Sequence, residues 1–304
     1  MSTDNLPGKP PMRRATTTAN RRTPRSGFTL LELLIVIAFI AILVSLLTVA
    51  IVGARKRVQL AAVSAEITQL DQAIASFKAR FGIEPPSSLT IPTSATGWSP
   101  EDRQKVLRVW DQFDFATLGG FPGGYPTAAV HLNGAECLVF FLGGVNTGTP
   151  TAPALTGFSK NPRTPWNKDG ANRDTPFYDG FDASRLADVD NDSALEFLDS
   201  LPGQTAPFLY LSSQGKSYRK ANNPAAWDDY DVYGMNDAKD LKGCYLQADG
   251  KTPERASGYQ IISPGSDASY GTGGIYKDDG AELTGAREAE ADNITNFAGG
   301  VLKK

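Results

Sequence analysis

Residues 28–52 read FTLLELLIVIAFIAILVSLLTVAIV, 25 residues with one charge, Glu32. As a helix this run is long enough to cross a bilayer core of about 30 Å. It is apolar on every side, so a folded head could cover at most part of it. Its flanks orient it. Before residue 27 stand Lys9, Arg13, Arg14, Arg21, Arg22 and Arg25 against one acid, Asp4. Positive charge of that kind holds the leading end of a membrane span in the cytoplasm and sends the following chain outward. Arg55, Lys56 and Arg57 follow the run, a smaller excess on the other side.

Helical spacing continues past the apolar run. Val58, Ala62, Ala65, Leu70, Ala73, Ile74, Phe77 and Phe81 recur with polar residues between them, which predicts an amphipathic continuation of the same helix. Gly82 suits a helix C-terminus, and Pro85-Pro86 forbids extension. One helix from Phe28 to about Phe81 would be roughly 80 Å long. Its second half needs an apolar partner, which the rest of the chain must supply.

That remainder is loop-rich, in a chain with 30 Gly and 20 Pro. Ser99-Pro100-Glu101-Asp102 combines a capping hydroxyl, a first-turn proline and acids suited to the helix dipole, predicting a helix to about Phe113. Residues 135–142 (AECLVFFL) read as a short buried helix, and 143–180, dense in Gly, Pro, Asn and Thr, as an extended surface loop. Residues 206–212, 258–263 and 293–297 read as strands. The expected fold class is α+β: a long N-terminal helix packed on a globular domain with a small antiparallel sheet and long loops. Its segments are a basic leader 1–27, a transmembrane half-helix 28–52, an amphipathic half-helix 53–82 and a head 83–304.

Several function classes fit poorly. A net charge of −3 gives no basic surface for nucleic acid. The single histidine, His131, sits in no metal or nucleophile motif, and no phosphate-cradling loop or triad spacing is present, so an enzyme is not expected. Cys137 and Cys244 are too few for a four-cysteine zinc site. They read equally as buried thiols or, in an exported domain, as a disulfide.

The junction Arg25-Ser26-Gly27-Phe28-Thr29-Leu30-Leu31-Glu32 is the most specific stretch. An acid near the start of a membrane span costs about 2–3 kcal/mol at depth, so its presence points to use. These residues resemble the N-terminal motif of type IV prepilins and type II secretion pseudopilins. The resemblance implies cleavage between Gly27 and Phe28 by a prepilin peptidase and methylation of the new Phe28 amine. It implies a role for Glu32 in assembly, attracting the N-terminal amine of a neighbouring subunit. The expected partners are copies of this chain or other pilin-like subunits, the peptidase, an inner-membrane assembly platform and lipid. The expected location is the inner membrane, single-pass, with the head outside the cytoplasm and assembled into a filament. The rival is an ordinary secretory signal, with Val52-Gly53-Ala54 as a small-residue cleavage site and a soluble exported binding domain as product. The apolar core of such a signal is usually shorter, and Glu32 has no place in it.

Two acidic segments point to calcium as a cofactor. Residues 261–267 (IISPGSD) with Gly271-Thr272-Gly273 are similar to the C-terminal loop of the major type II pseudopilin, where calcium binds. Asp267 and Asp292 are the positions that likeness carries over. Independently, Asp188, Asp190, Asp192, Glu196 and Asp199 occupy positions 1, 3, 5, 9 and 12 of a calcium-loop spacing. Ser193 stands in place of the turn glycine, and Asp199 in place of the bidentate Glu. The same residues also read as a solvated acidic turn capping a helix from Ala194.

Overall fold

A computed structural model describes residues 27–149, 152–213, 218, 244–276 and 283–302. The basic residues of the leader lie outside them. The chain forms two units, 1–53 and 54–304.

Helix α1 spans Leu30–Phe81 and is long and apolar enough to cross a membrane. In the first unit its side chains are uncovered: Phe28, Leu30, Leu34, Phe39, Leu43 and Leu47 are each more than half exposed. In the second unit the helix is amphipathic. Val63, Ile67, Leu70, Ala73, Ile74 and Phe77 are buried, spaced three and four apart to form one stripe. The sequence reading placed Val58, Ala62 and Ala65 on this stripe. All three are exposed, and the larger Val63 and Ile67 take the inward positions. Gly82 ends the helix as expected, with φ +77° and its N–H donating to Lys78 O at 2.8 Å.

Among its described residues the head adds α2 (Pro100–Val109), α3 (Gly134–Gly143) and eight short strands: β1 (Leu89–Ile91), β2 (Val130–Leu132), β3 (Leu186–Ala187), β4 (Glu196–Phe197), β5 (Leu209–Ser212), β6 (Tyr259–Ser263), β7 (Ile294–Thr295) and β8 (Gly300–Val301). β1 pairs with β2 and β3 with β4, while β5-β6-β7-β8 form one sheet; every pairing is antiparallel. The fold class is therefore α+β, with a long N-terminal helix and small antiparallel sheets.

The four-stranded sheet divides the core by the period-two rule of strands. Tyr210 and Ile261 face the large cluster that holds the α1 stripe. Leu209, Leu211 and Ile262 face a second cluster with Tyr245, Tyr270 and Leu302. Aromatic rings fill the first. Phe77 meets Phe141 at 5.9 Å and Phe177 at 5.2 Å, and Trp110 meets Trp166 at 5.8 Å. Trp110 is also why α2 stops at Val109 and not near Phe113: its backbone turns extended and its ring is buried in that cluster. Residues 143–180 are likewise not merely surface. Val145, Phe158, Trp166 and Tyr178 are core residues, so this glycine-rich segment folds its apolar side chains inward.

Polar clamps hold the loops to α1. Arg185 pairs with Glu66 at 2.7 Å, Arg80 with Asp174, and Asn296 Nδ2 donates to Asp71 at 3.2 Å. The cysteines are both buried and are not bonded to each other, Cys137 lying in the first cluster and Cys244 in the second. The disulfide expectation is not met, because the sheet sorts the two thiols to different clusters.

Asp199 belongs to this framework and lies outside the carboxylate clusters found at ligand distance among the described residues. It is 2% exposed. Its carboxylate accepts from Leu201 N (2.9 Å), Gln204 Nε2 (2.9 Å) and Ser263 Oγ (2.5 Å), tying the end of β4 to the end of β6. Burial raises its pKa, and the bonds from Ser263, Leu201 and Gln204 oppose that rise. Asp199→Ala removes the acceptor of two buried donors, Leu201 N and Ser263 Oγ, each worth about 1–3 kcal/mol when left unmade. It should lower stability by at least about 2 kcal/mol in chemical denaturation, whereas Asp199→Asn, which keeps an acceptor oxygen, should cost clearly less. Equal, negligible losses would remove Asp199 from the framework.

Candidate functional site

Two places in the chain carry chemistry. The first is the N-terminal junction. Thr29 immediately precedes α1, and Glu32 is its third residue. Glu32 N donates to Thr29 Oγ1 at 3.1 Å, and Glu32 Oε2 accepts from Thr29 N at 2.9 Å and Thr29 Oγ1 at 3.0 Å. This is a capping box, which satisfies two otherwise orphaned N–H groups. The T-x-x-E pattern that announces it was readable in the sequence and was passed over there. Phe28 is 80% exposed. A Cβ placed on Gly27 would meet nothing within 4 Å among the described residues, so their packing makes no demand for glycine at that position.

The second is an acidic pocket in the head, built by one hairpin and one helix. β3 and β4 pair Leu186 with Phe197 and Ala187 with Glu196, leaving 188–195 as the turn. Asn191 and Ser193 take positive φ, +65° and +80°. Ser193 thus adopts the left-handed backbone a glycine would take more easily. Asp188 Oδ1 accepts from Asp192 N at 3.0 Å, and Asp188 Oδ2 from Ser193 N at 3.1 Å. Asp192 Oδ1 accepts from Ala194 N at 2.8 Å. No helix begins at Ala194; the chain enters β4 there, because Leu186 and Phe197 pair across the hairpin.

α3 packs against β4 and brings Glu136 to the turn. The N-terminus of α3 is fixed by another capping box. Asn133 Oδ1 accepts from Ala135 N and Glu136 N, and Glu136 Oε2 accepts from Asn133 N at 2.6 Å. The helix sits hard on β5: a Cβ on Gly134 would lie 1.9 Å from Tyr210 O. Glu136 is 1% exposed and Glu196 0%.

Carboxylate oxygens of Glu136, Asp190 and Asp192 lie within 4.8 Å of one another, and so do those of Asp188, Asp190 and Glu196. Three of the oxygens, Glu136 Oε1, Asp190 Oδ1 and Glu196 Oε1, are buried without a hydrogen-bond partner among the described residues. Burial above all, and then the charge of Asp192, pushes the Glu136 carboxyl up to about 10; the bond from Asn133 opposes this. Burial pushes Glu196 up to about 8, against the bond from Val189 N and with help from Asp190 and Asp188. Glu136 was not among the sequence candidates. Its capping role is legible in N-x-x-E, but its approach to a turn more than fifty residues away is not.

The residues carried over from the pseudopilin loop are placed differently. Asp267 Oδ1 accepts from Ser269 N at 2.9 Å, within a local turn. Asp292 Oδ2 accepts from Ser266 N at 2.8 Å and from Ser266 Oγ. Among the described residues no third acid joins them at ligand distance. The nearby 271–273 segment wraps Glu290, which takes N–H bonds from Thr272 and Gly273 and pairs with Arg287 at 2.8 Å.

Residues 22–48 match the model of the prokaryotic N-terminal methylation motif. Comparison with curated proteins and with solved structures gave no match. The matched segment contains the Gly27-Phe28 junction, the Thr29–Glu32 cap and most of the uncovered apolar helix, which is long and apolar enough to cross a membrane once. By this N-terminal segment the chain carries a prepilin-type methylation motif, consistent with a type IV pilin-like protein.

Proposed function

We propose that the chain is a structural subunit of a filament, of the type II secretion pseudopilus or the related type IV pilus kind. In this reading it is cut after Gly27 and methylated on Phe28, then drawn from the inner membrane by an assembly platform. It packs with copies of itself or with related subunits, its head outside the cytoplasm. The observation that carries the reading is a carboxylate, Glu32, held at the start of an uncovered apolar helix and four residues beyond the matched Gly-Phe junction. The uncovered side chains need lipid before assembly and neighbouring helices after it. The indifference of the fold to glycine at 27 supports a requirement set by an external peptidase. The likeness of the 261–273 loop supports the secretion assignment. Head-to-tail contacts that do not close give an open helical fibre.

Two experiments test this. Mass spectrometry of protein from native membranes should give a mature N-terminus at Phe28, heavier by one methyl group; a start at Arg55 would instead favour release by a secretory signal. For Glu32, the capping box and the assembly charge are separable, because glutamine also closes a capping box. Glu32→Gln and Glu32→Ala should both lower recovery in sheared filaments at least about tenfold, since either leaves a neighbour's amine unpaired in an apolar setting. Wild-type recovery of Glu32→Gln would confine Glu32 to capping and end the pairing account.

A further inference from the structure

The acidic pocket has a deficit that the fold does not explain. Five carboxylates converge on it: Asp188, Asp190, Asp192 and Glu196 from the β3–β4 hairpin, and Glu136 from α3. Among the described residues none of the five forms an ion pair with a lysine or arginine. Framework bonds account for part of each buried glutamate and no more. Glu136 Oε2 closes its capping box, and Glu196 Oε2 accepts from Val189 N at 2.9 Å. The second oxygen of each, with Asp190 Oδ1, is buried and unpartnered. A buried polar atom without a partner is rare and costly. Glutamine would serve the capping box at 136 without burying a charge.

We propose that these five residues form a calcium site that fastens the β3–β4 turn to the start of α3. Every available donor is a carboxylate oxygen, the preference of a hard cation and not of a thiolate- or imidazole-seeking metal. The oxygens of each triad lie within 4.8 Å of one another. A calcium shell, with Ca–O of 2.3–2.6 Å, is about 5 Å across. The tighter octahedral shell of magnesium fits such a set less well, and magnesium gives up its waters reluctantly. Asp190 belongs to both triads and so stands at the centre. The hairpin supplies positions 1, 3, 5 and 9 of the loop spacing. Glu136, from another element, supplies the closing carboxylate that position 12, Asp199, does not. Glu136 and Asp192 also line a cavity of about 500 Å³ beside the cluster, giving an ion and its waters a way in. The inference does not depend on the filament reading and survives its failure.

The test uses the full-length protein in detergent micelles, stripped with chelator. Calcium chloride is titrated by calorimetry, and melting is followed by tryptophan fluorescence, with magnesium chloride in parallel. Wild type should bind calcium at or below millimolar concentration and melt several degrees higher with it, with a smaller response to magnesium. Glu136→Gln and Asp190→Asn should each weaken binding at least about tenfold. In chelator both should keep the wild-type circular dichroism and melt no lower than wild type, because each replaces a carboxyl group one of whose oxygens is buried without a partner among the described residues. Asp267→Asn should bind as wild type does. No heat and no melting shift up to about 10 mM calcium would overturn the proposal. So would unaltered binding by Glu136→Gln, or loss of binding in Asp267→Asn, which would move the ion to the C-terminal loop.

Discussion

The buried face of α1, formed by Val63, Ile67, Leu70, Ile74 and Phe77, is the surface on which residues 54–304 condense. Full burial of side chains this large stabilises by about 1.5–3 kcal/mol each, and no other element offers so long an apolar stripe. Phe77 touches both Phe141 of α3 and Phe177 of the long connection that follows it. Through those rings the stripe reaches Trp110 and Trp166. The polar edge of the same helix then sets where loops land. Glu66 takes Arg185, and Arg185 opens the hairpin whose turn carries the acids. The location of the acidic pocket is thus inherited from the helix.

Buried acids in this head fall into two kinds, and hydrogen-bond accounting separates them. Asp199 is surrounded by three donors, which turn a costly burial into a junction between β4 and β6. Glu290 is likewise met by backbone N–H groups and by Arg287. Glu136 and Glu196 are as deeply buried but only half engaged. Among the described residues no lysine or arginine pairs with either, and the second oxygen of each has no hydrogen-bond partner.

Glu32 meets a local demand at the start of α1, and under the proposed function it would meet an intermolecular one as well. As the third residue of α1 it bonds back to Thr29, which removes part of the cost of placing a carboxylate at a membrane face. A carboxylate at a helix N-terminus also gains from the dipole. Neither effect cancels its charge, so a cation beside it is still favoured, and the proposed cleavage after Gly27 would create one at Phe28.

The chain's local patterns determined a great deal by themselves. The 25-residue apolar run, the Gly-Phe junction and Glu32 carry the pilin-like assignment, because membrane insertion and peptidase recognition act on contiguous sequence. Helix ends were legible for the same reason: Ser99 caps α2 and Gly82 closes α1 through bonds a few residues long. Reading failed where distant side chains compete for one space. Val63 and Ile67 displaced Ala62 and Ala65 from the buried stripe because the larger side chains gain more from the same contact. Trp110 left α2 for the aromatic cluster, and the glycine-rich 143–180 segment carried Phe158 and Trp166 into the core. In the acidic turn, spacing identified Asp188, Asp190, Asp192 and Glu196 as a group. Only the tertiary structure exchanged Asp199 for Glu136, because the packing of α3 on β4 and β5 decides which carboxylate reaches the pocket, and that packing is a property of surfaces far apart in the chain.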